Sequence, residues 1–127
     1  MTRINIIHPA ELCDQHLLAE HRELTRIPND IVKREGNVPL SKEKAYLLGQ
    51  GHVTFFRDKL LFLKKRYDAL HEECLKRGFN VNYRWPKEAA LFSNLWNDYE
   101  VTQEDIMLNQ SRIEERMPIN PRFTKHL

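Results

Sequence analysis

The chain has 127 residues, 41% of them hydrophobic and 30% charged, with a formal net charge of +2. That length suits one domain with a core of its own, and no apolar run approaches the ~20 residues of a membrane span. The N-terminus lacks a positive-then-apolar leader, and Cys13 and Cys74 have no framework spacing. The chain therefore reads as a cytoplasmic protein in a reducing setting and not as a secreted disulfide scaffold.

In chain order, a first helix is expected from about Pro9 to Arg34. Pro9 suits a first turn and Glu11 suits the positive helix end. Pro28 should break or kink this stretch, with Asn29-Asp30 starting a second piece. Glu35-Gly36-Asn37-Val38-Pro39 reads as a turn, and Ser41 as the cap of a short helix through Leu48. A second long helix is expected from Gly51 to Arg77. Its apolar positions Phe55, Phe56, Leu60, Leu63, Tyr67, Leu70 and Cys74 recur at three and four, and Gly78 is its stop. Residues 79–100 look irregular, with a short helix around Glu88 to Trp96. Thr102, with Asp105 three residues on, opens a third helix that ends before Pro118. The tail from Met117 to Leu127 should lie over the surface as an arm. The expected fold is all-α: one domain over residues 1–127, with three main helices, short extra helices and an irregular C-terminal arm.

Charge is unevenly spread. Residues 1–34 hold five basic and five acidic side chains, 42–88 hold eleven and six, and 89–127 hold four and six. The middle stretch suits a phosphate-binding face or a solvated helix surface equally well.

The start of the chain carries the most chemistry. Removal of Met1 would leave Thr2 with a free α-amine beside Arg3. Such an amine titrates near pH 8, well below a lysine, so it is partly unprotonated at neutral pH. It can attack a sugar carbon or an aldehyde to form a Schiff base. On a helical wheel Gln15, His16, Arg22, Glu23 and Arg26 fall within an arc of about 120°, with Ala19 at its middle. Cys13, Leu17, Leu24 and Ile31 fall on the adjacent flank, taken as the core side. The polar arc could line a cleft or simply face solvent. Cys13, His16 and His21 make at most a partial metal site, with no further Cys/His partners to complete it.

The residues Met1-Thr2-Arg3-Ile4-Asn5, Asp14-Gln15-His16-Leu17, Arg22-Glu23-Leu24 and Arg26 occur in an order that resembles a known family. So do Gly51-His52-Val53-Thr54-Phe55-Phe56, Asp58-Lys59-Leu60, Phe62-Leu63 and Glu73-Cys74-Leu75-Lys76-Arg77-Gly78-Phe79-Asn80. The family is the phage-type pyrimidine-dimer DNA glycosylase/AP lyases (endonuclease V type). The resemblance implies a cofactor-free and metal-free DNA-repair enzyme acting as a monomer on damaged double-stranded DNA. The Thr2 amine would be its nucleophile and Glu23 its catalytic carboxylate. It further implies that Arg3, Arg22 and Arg26 hold phosphates, with Gln15, His16 and Lys125 also facing DNA.

The chain departs from that family at His21, where the phage enzyme has a tyrosine. It departs also in the shorter segment 35–48 and in a shorter, aromatic-poor arm, Asn120 to Leu127. Cyclobutane pyrimidine dimers are the leading expected substrate, with abasic sites or other damaged bases as alternatives. A non-catalytic helical DNA-binding module and a histidine-based metal hydrolase are the competing functional classes.

Overall fold

The structure is a computed structural model that describes residues 3–127. Five α-helices follow one another: α1 (Asp14–Leu24), α2 (Arg26–Lys33), α3 (His52–Phe56), α4 (Leu60–Lys76) and α5 (Gln103–Glu115). Short 3-10 turns occupy Pro9–Glu11, Lys87–Leu91 and Ser93–Leu95. No β-strand forms among the described residues; an isolated bridge joins Lys59 and Trp96. The fold is all-α, as the periodicity indicates.

Two expected helices are each divided. The first stretch breaks at Thr25, three residues before the expected proline. In an unbroken helix the Pro28 ring would collide with the carbonyl of residue 24, so the break lies upstream of it. Pro28 then sits in the first turn of α2, where a missing N–H costs nothing. The second stretch breaks at residues 57–59, where Lys59 adopts φ −124° and ψ 47°. Asn97 straddles this break: its side-chain amide donates to Asp58 O at 2.8 Å and its carbonyl accepts from Phe62 N–H at 3.3 Å.

The helix expected over Ser41–Leu48 does not form. Ser41 Oγ accepts from Glu43 N–H at 3.0 Å, closing a local turn. Tyr46 is drawn into the core and donates its N–H to Tyr99 Oη at 3.0 Å. The helix expected near Glu88–Trp96 is two 3-10 turns. α5 starts as expected, with Thr102 and Asp105 forming a reciprocal capping box.

The core is built from the predicted faces. Cys13, Leu17, Leu24 and Ile31 are buried, as are Phe55, Phe56, Leu60, Leu63, Tyr67, Leu70 and Cys74. The Cys74 thiol is pushed up to about 11 by burial, which makes it unreactive at neutral pH. The arm is ordered against the start of α1 and the end of α4. Asp14 N–H donates to Arg122 O at 2.6 Å, Thr124 N–H and Oγ1 bond the Asp14 carboxylate, and Leu127 N–H donates to Lys76 O at 2.8 Å. Arg77 joins Asp14 and Glu73 beneath the arm at 2.9 and 2.7 Å.

One buried group ties stability to pH. His21 is fully buried between α1 and α4, with Nε2 3.1 Å from His71 Nδ1 and with Nδ1 lacking a partner among the described residues. Burial, and then the neighbouring His71, push its imidazole down to about 4. The unfolded chain titrates near 6.5 and so binds the proton more readily. The His21 contribution is therefore complete above pH 6.5 and is lost as pH falls toward 4, on the order of 2–3 kcal/mol. Urea unfolding at pH 7 and at about pH 4.5 checks this, and His21→Phe is expected to remove that part of the pH dependence.

Candidate active site

Residues 3–8 run as an extended segment through the protein, and side chains from other elements hold its backbone. Ile4 N–H donates to His52 Nε2 at 2.8 Å, and Ile4 O accepts from Tyr46 Oη at 2.9 Å. Ile6 and Ile7 N–H both donate to Asn109 Oδ1, at 2.7 and 3.3 Å. Arg66 Nη1 donates to Ile7 O. The Asn5 side chain joins the same frame, accepting from Asn109 Nδ2 at 2.8 Å and donating to Glu20 Oε1 at 2.9 Å. Buried backbone polar groups must find partners, and here α4, α5, the start of α3 and the loop before it supply them in place of a β-ladder.

The segment ends at a cavity of about 190 Å³ lined by Arg3, Asn5, His16, Ala19, Glu20 and Glu23. An engineered cavity of ~150 Å³ takes one benzene ring, so this volume suits one ring-sized group. Its two carboxylates are in different states. Glu20 is buried, and both its oxygens are taken: Oε2 by Arg66 Nε at 2.7 Å, Oε1 by Arg66 Nη2 and Asn5 Nδ2, each at 2.9 Å. Glu23, one turn further along α1, is half-buried and has no hydrogen-bond or ion-pair partner among the described residues. Of the two cavity carboxylates it is the one without a partner among the described residues.

His16 Nε2 lies 3.0 Å from Arg116 O. A carbonyl only accepts, so Nε2 carries a proton, and in the neutral ring Nδ1 is then an acceptor. That Nδ1 is buried without a partner among the described residues. Arg3 is pushed below the usual arginine value, first by burial and then by the charges of Arg112 and Arg116. It remains a cation, so α5 brings two further cations toward the cavity.

Other residues of the wheel fall elsewhere. Arg22 and Arg26 are exposed on the same helical stretch. Gln15 bonds the arm, its amide to Asn120 O at 2.7 Å and its oxygen to Arg122 N–H at 3.1 Å. Lys125 is exposed and lines a separate groove with Ala10, Glu73 and Arg77. Cys13, His16 and His21 do not converge, and no group of three or more His, Cys, Asp or Glu among the described residues is placed to hold a metal ion. Thr2 lies outside the described residues.

The basic middle stretch is largely neutralised from within. Arg57, Lys59, Lys64, Lys65, Arg66, Lys76 and Arg77 each pair with a carboxylate. Arg3, Arg22, Arg26 and Arg116 make no ion pair among the described residues. Lys33, Lys42, Lys44, Arg84, Lys87, Arg122 and Lys125 are likewise unpaired among the described residues, so unpaired positive charge is missing from α4 but is not confined to the neighbourhood of the cavity.

Sequence reasoning missed Glu20, Arg66, Asn109, Arg112 and Arg116. The first three left a signal: each is a polar residue at a core register, between Leu17 and Leu24, beside Leu63 and Leu70, and between Ile106 and Ile113. A polar residue at such a position is buried only with partners.

Residues 1–87 match the family model described as pyrimidine dimer DNA glycosylase. The chain belongs to that family. As a pyrimidine dimer DNA glycosylase by family, it is an enzyme of DNA repair with DNA as its substrate. The matched residues contain the extended segment, the whole of α1 and the His52 and Arg66 anchors. They stop short of α5 and the arm, so this glycosylase takes Asn109, Arg112 and Arg116 from beyond the matched stretch. No helix among the described residues is long and apolar enough to cross a membrane.

Proposed function

We propose that the chain is a bifunctional DNA glycosylase/AP lyase that excises a damaged pyrimidine, with the cyclobutane pyrimidine dimer as its leading substrate. The observation that carries the reading is the Glu23 carboxylate, unpartnered among the described residues, in a cavity whose other wall is Arg3, the residue covalently joined to Thr2.

With Met1 removed, the Thr2 α-amine attacks the sugar anomeric carbon after the nucleotide or its partner leaves the stack. The C–N bond to the base breaks and the base departs. The sugar ring opens to an imine, which acidifies the neighbouring C2′ hydrogen. Loss of that proton expels the 3′ phosphate and cuts the strand. Glu23 stabilises the charge that develops as the base leaves, and then carries protons during ring opening and elimination. His16 Nδ1 offers a second acceptor on the same wall. Arg22, Arg26, Arg112 and Arg116 hold phosphates on either side, and no cofactor takes part. The protein acts as a monomer in a reducing, cytoplasmic setting.

Borohydride trapping tests the reading. The protein, its N-terminus verified by mass, is mixed with duplex DNA carrying one thymine dimer and, in parallel, one abasic site. A covalent adduct on both, absent when the N-terminus is blocked, is the expected result. An adduct on the abasic site alone would keep the lyase and move base choice elsewhere. No adduct on either would leave a DNA-binding module as the better account. Arg26→Gln and Arg116→Gln are each expected to weaken binding and lower the slope of log K against log salt by about one, read from anisotropy titrations.

A further inference from the structure

Ile4, two residues after Thr2 in sequence, has both of its backbone polar groups anchored to the fold. Both polar groups of Ile4 are held by side chains of the loop before α3 and the start of α3. His52 accepts from its N–H at 2.8 Å, and Tyr46 donates to its carbonyl at 2.9 Å. His52 is itself fixed, since Nδ1 lies 2.7 Å from Leu47 O. A carbonyl cannot donate and an N–H cannot accept, so Nδ1 carries the proton and Nε2 does not. The rings of Tyr46 and Phe56 meet the imidazole edge-on, at 5.6 and 5.3 Å between centroids. Gly51 sets up this arrangement: its φ is +91°, and a Cβ there would lie 3.2 Å from Leu47 Cδ1. Tyr46 is held in turn by Tyr99, which bonds Asp105 of the α5 capping box.

We propose that His52 is a positioning residue for the amine nucleophile, clamping the Ile4 peptide together with Tyr46, and that it can do so only as the neutral Nδ1–H tautomer. The inference rests on the amine reading above and adds to it a residue that never touches DNA. Protonated His52 has no lone pair for Ile4 N–H and would press one donor against another. The charged groups facing the ring are Arg3 from the extended segment, Arg112 from α5 and Glu20 from α1. Tyr46, the other titratable neighbour, comes from the loop. Burial is the main influence and lowers the imidazole below its ordinary value; Arg3 and Arg112 act in the same direction, whereas the Leu47 carbonyl and Glu20 oppose them.

The pH profile carries a distinctive signature. Protonation of the amine alone gives an acid limb of unit slope below about pH 8. Release of the clamp adds a second proton below the lowered His52 value, so the limb steepens toward a slope of about two.

The test measures single-turnover trapping on an abasic-site duplex at saturating protein, with Kd measured separately by anisotropy. His52→Ala is expected to slow imine formation roughly 10–100-fold, as small misplacements of a reacting group do, with Kd changed less than about twofold. His52→Gln can accept from Ile4 N–H and donate to Leu47 O, so it should recover the rate to within about threefold and keep unit slope throughout the acid limb. A His52→Ala rate equal to wild type, a rise in Kd matching the rate loss, or a steepened limb in His52→Gln would each overturn the proposal. If His52→Ala does not fold, Tyr46→Phe removes only the other half of the clamp and is expected to slow the same step about tenfold without weakening Kd; an unchanged rate would count against the clamp. If wild-type protein forms no adduct, the amine reading itself fails. The clamp is then judged by backbone relaxation: Arg3 and Ile4 amides should drop from order parameters near ~0.85 to below ~0.6 in the His52 variant, and unchanged values would sink it.

Discussion

Glu23→Gln is expected to bind dimer-containing or abasic duplex as wild type does, while base loss and strand cleavage slow by roughly 10²–10⁴-fold. Glutamine fills the same volume on the cavity wall but can neither hold the charge that balances base departure nor take a proton. The neighbouring carboxylate supplies the control. Glu20 lines the same cavity, but Arg66 and Asn5 take both of its oxygens. Glu20→Gln is therefore expected to lower stability, with any rate loss following the unfolded fraction. Single-turnover cleavage on gels, anisotropy binding and urea unfolding on both variants distinguish the two. Equal loss of binding and rate in Glu23→Gln, or a rate unchanged, would remove Glu23 from the chemistry.

The second large effect is structural. Arg66→Ala leaves Glu20 charged and buried with only Asn5 beside it, and strips the donor from Ile7 O. Breaking one side of a buried ion pair costs about 3–5 kcal/mol, against a total of roughly 5–15 for a domain of this kind. Urea unfolding is expected to show a marginal or unfolded protein. The double variant Arg66→Met with Glu20→Met removes both charges and should recover much of the loss, since paired replacement by apolar groups is often neutral. A single variant as stable as wild type would mean that the pair contributes little.

Much of the scaffold was legible because it depends on neighbours in sequence. The three-and-four spacing from Phe55 to Cys74 marked the buried stripe of α4, and Thr102 with Asp105 marked the start of α5. Pro28 foretold a break but not its place, because the clash falls on a carbonyl four residues upstream. The break at 57–59 was hidden. It depends on Asn97, nearly forty residues away, and nothing between Phe56 and Leu60 announces it. Ser41 looked like a helix cap because the same side chain closes a turn equally well.

The site was half legible. The wheel brought His16 and Glu23 together, and both line the cavity. It also gathered Gln15, which the arm takes instead. The frame of the extended segment was out of reach, since its bonds join residues 4–7 to residues 46, 52, 66 and 109. Short-range pattern carries no information about such pairs, beyond the oddity of an Asn, a Glu and an Arg at apolar registers.

That frame also imposes an order in time. Residues 4–7 are made before every side chain that holds their backbone. The extended segment meets Tyr46 and His52 only after two-fifths of the chain is made, and Asn109 only near its end. Contacts so distant along the chain close late in folding, after local helices have formed. Until α5 docks, the N–H groups of Ile6 and Ile7 and the Asn5 side-chain oxygen lack the Asn109 side chain that holds them. A pocket built this way comes into being as a consequence of the completed fold, so a nascent or partly unfolded chain carries the proposed catalytic residues without their arrangement.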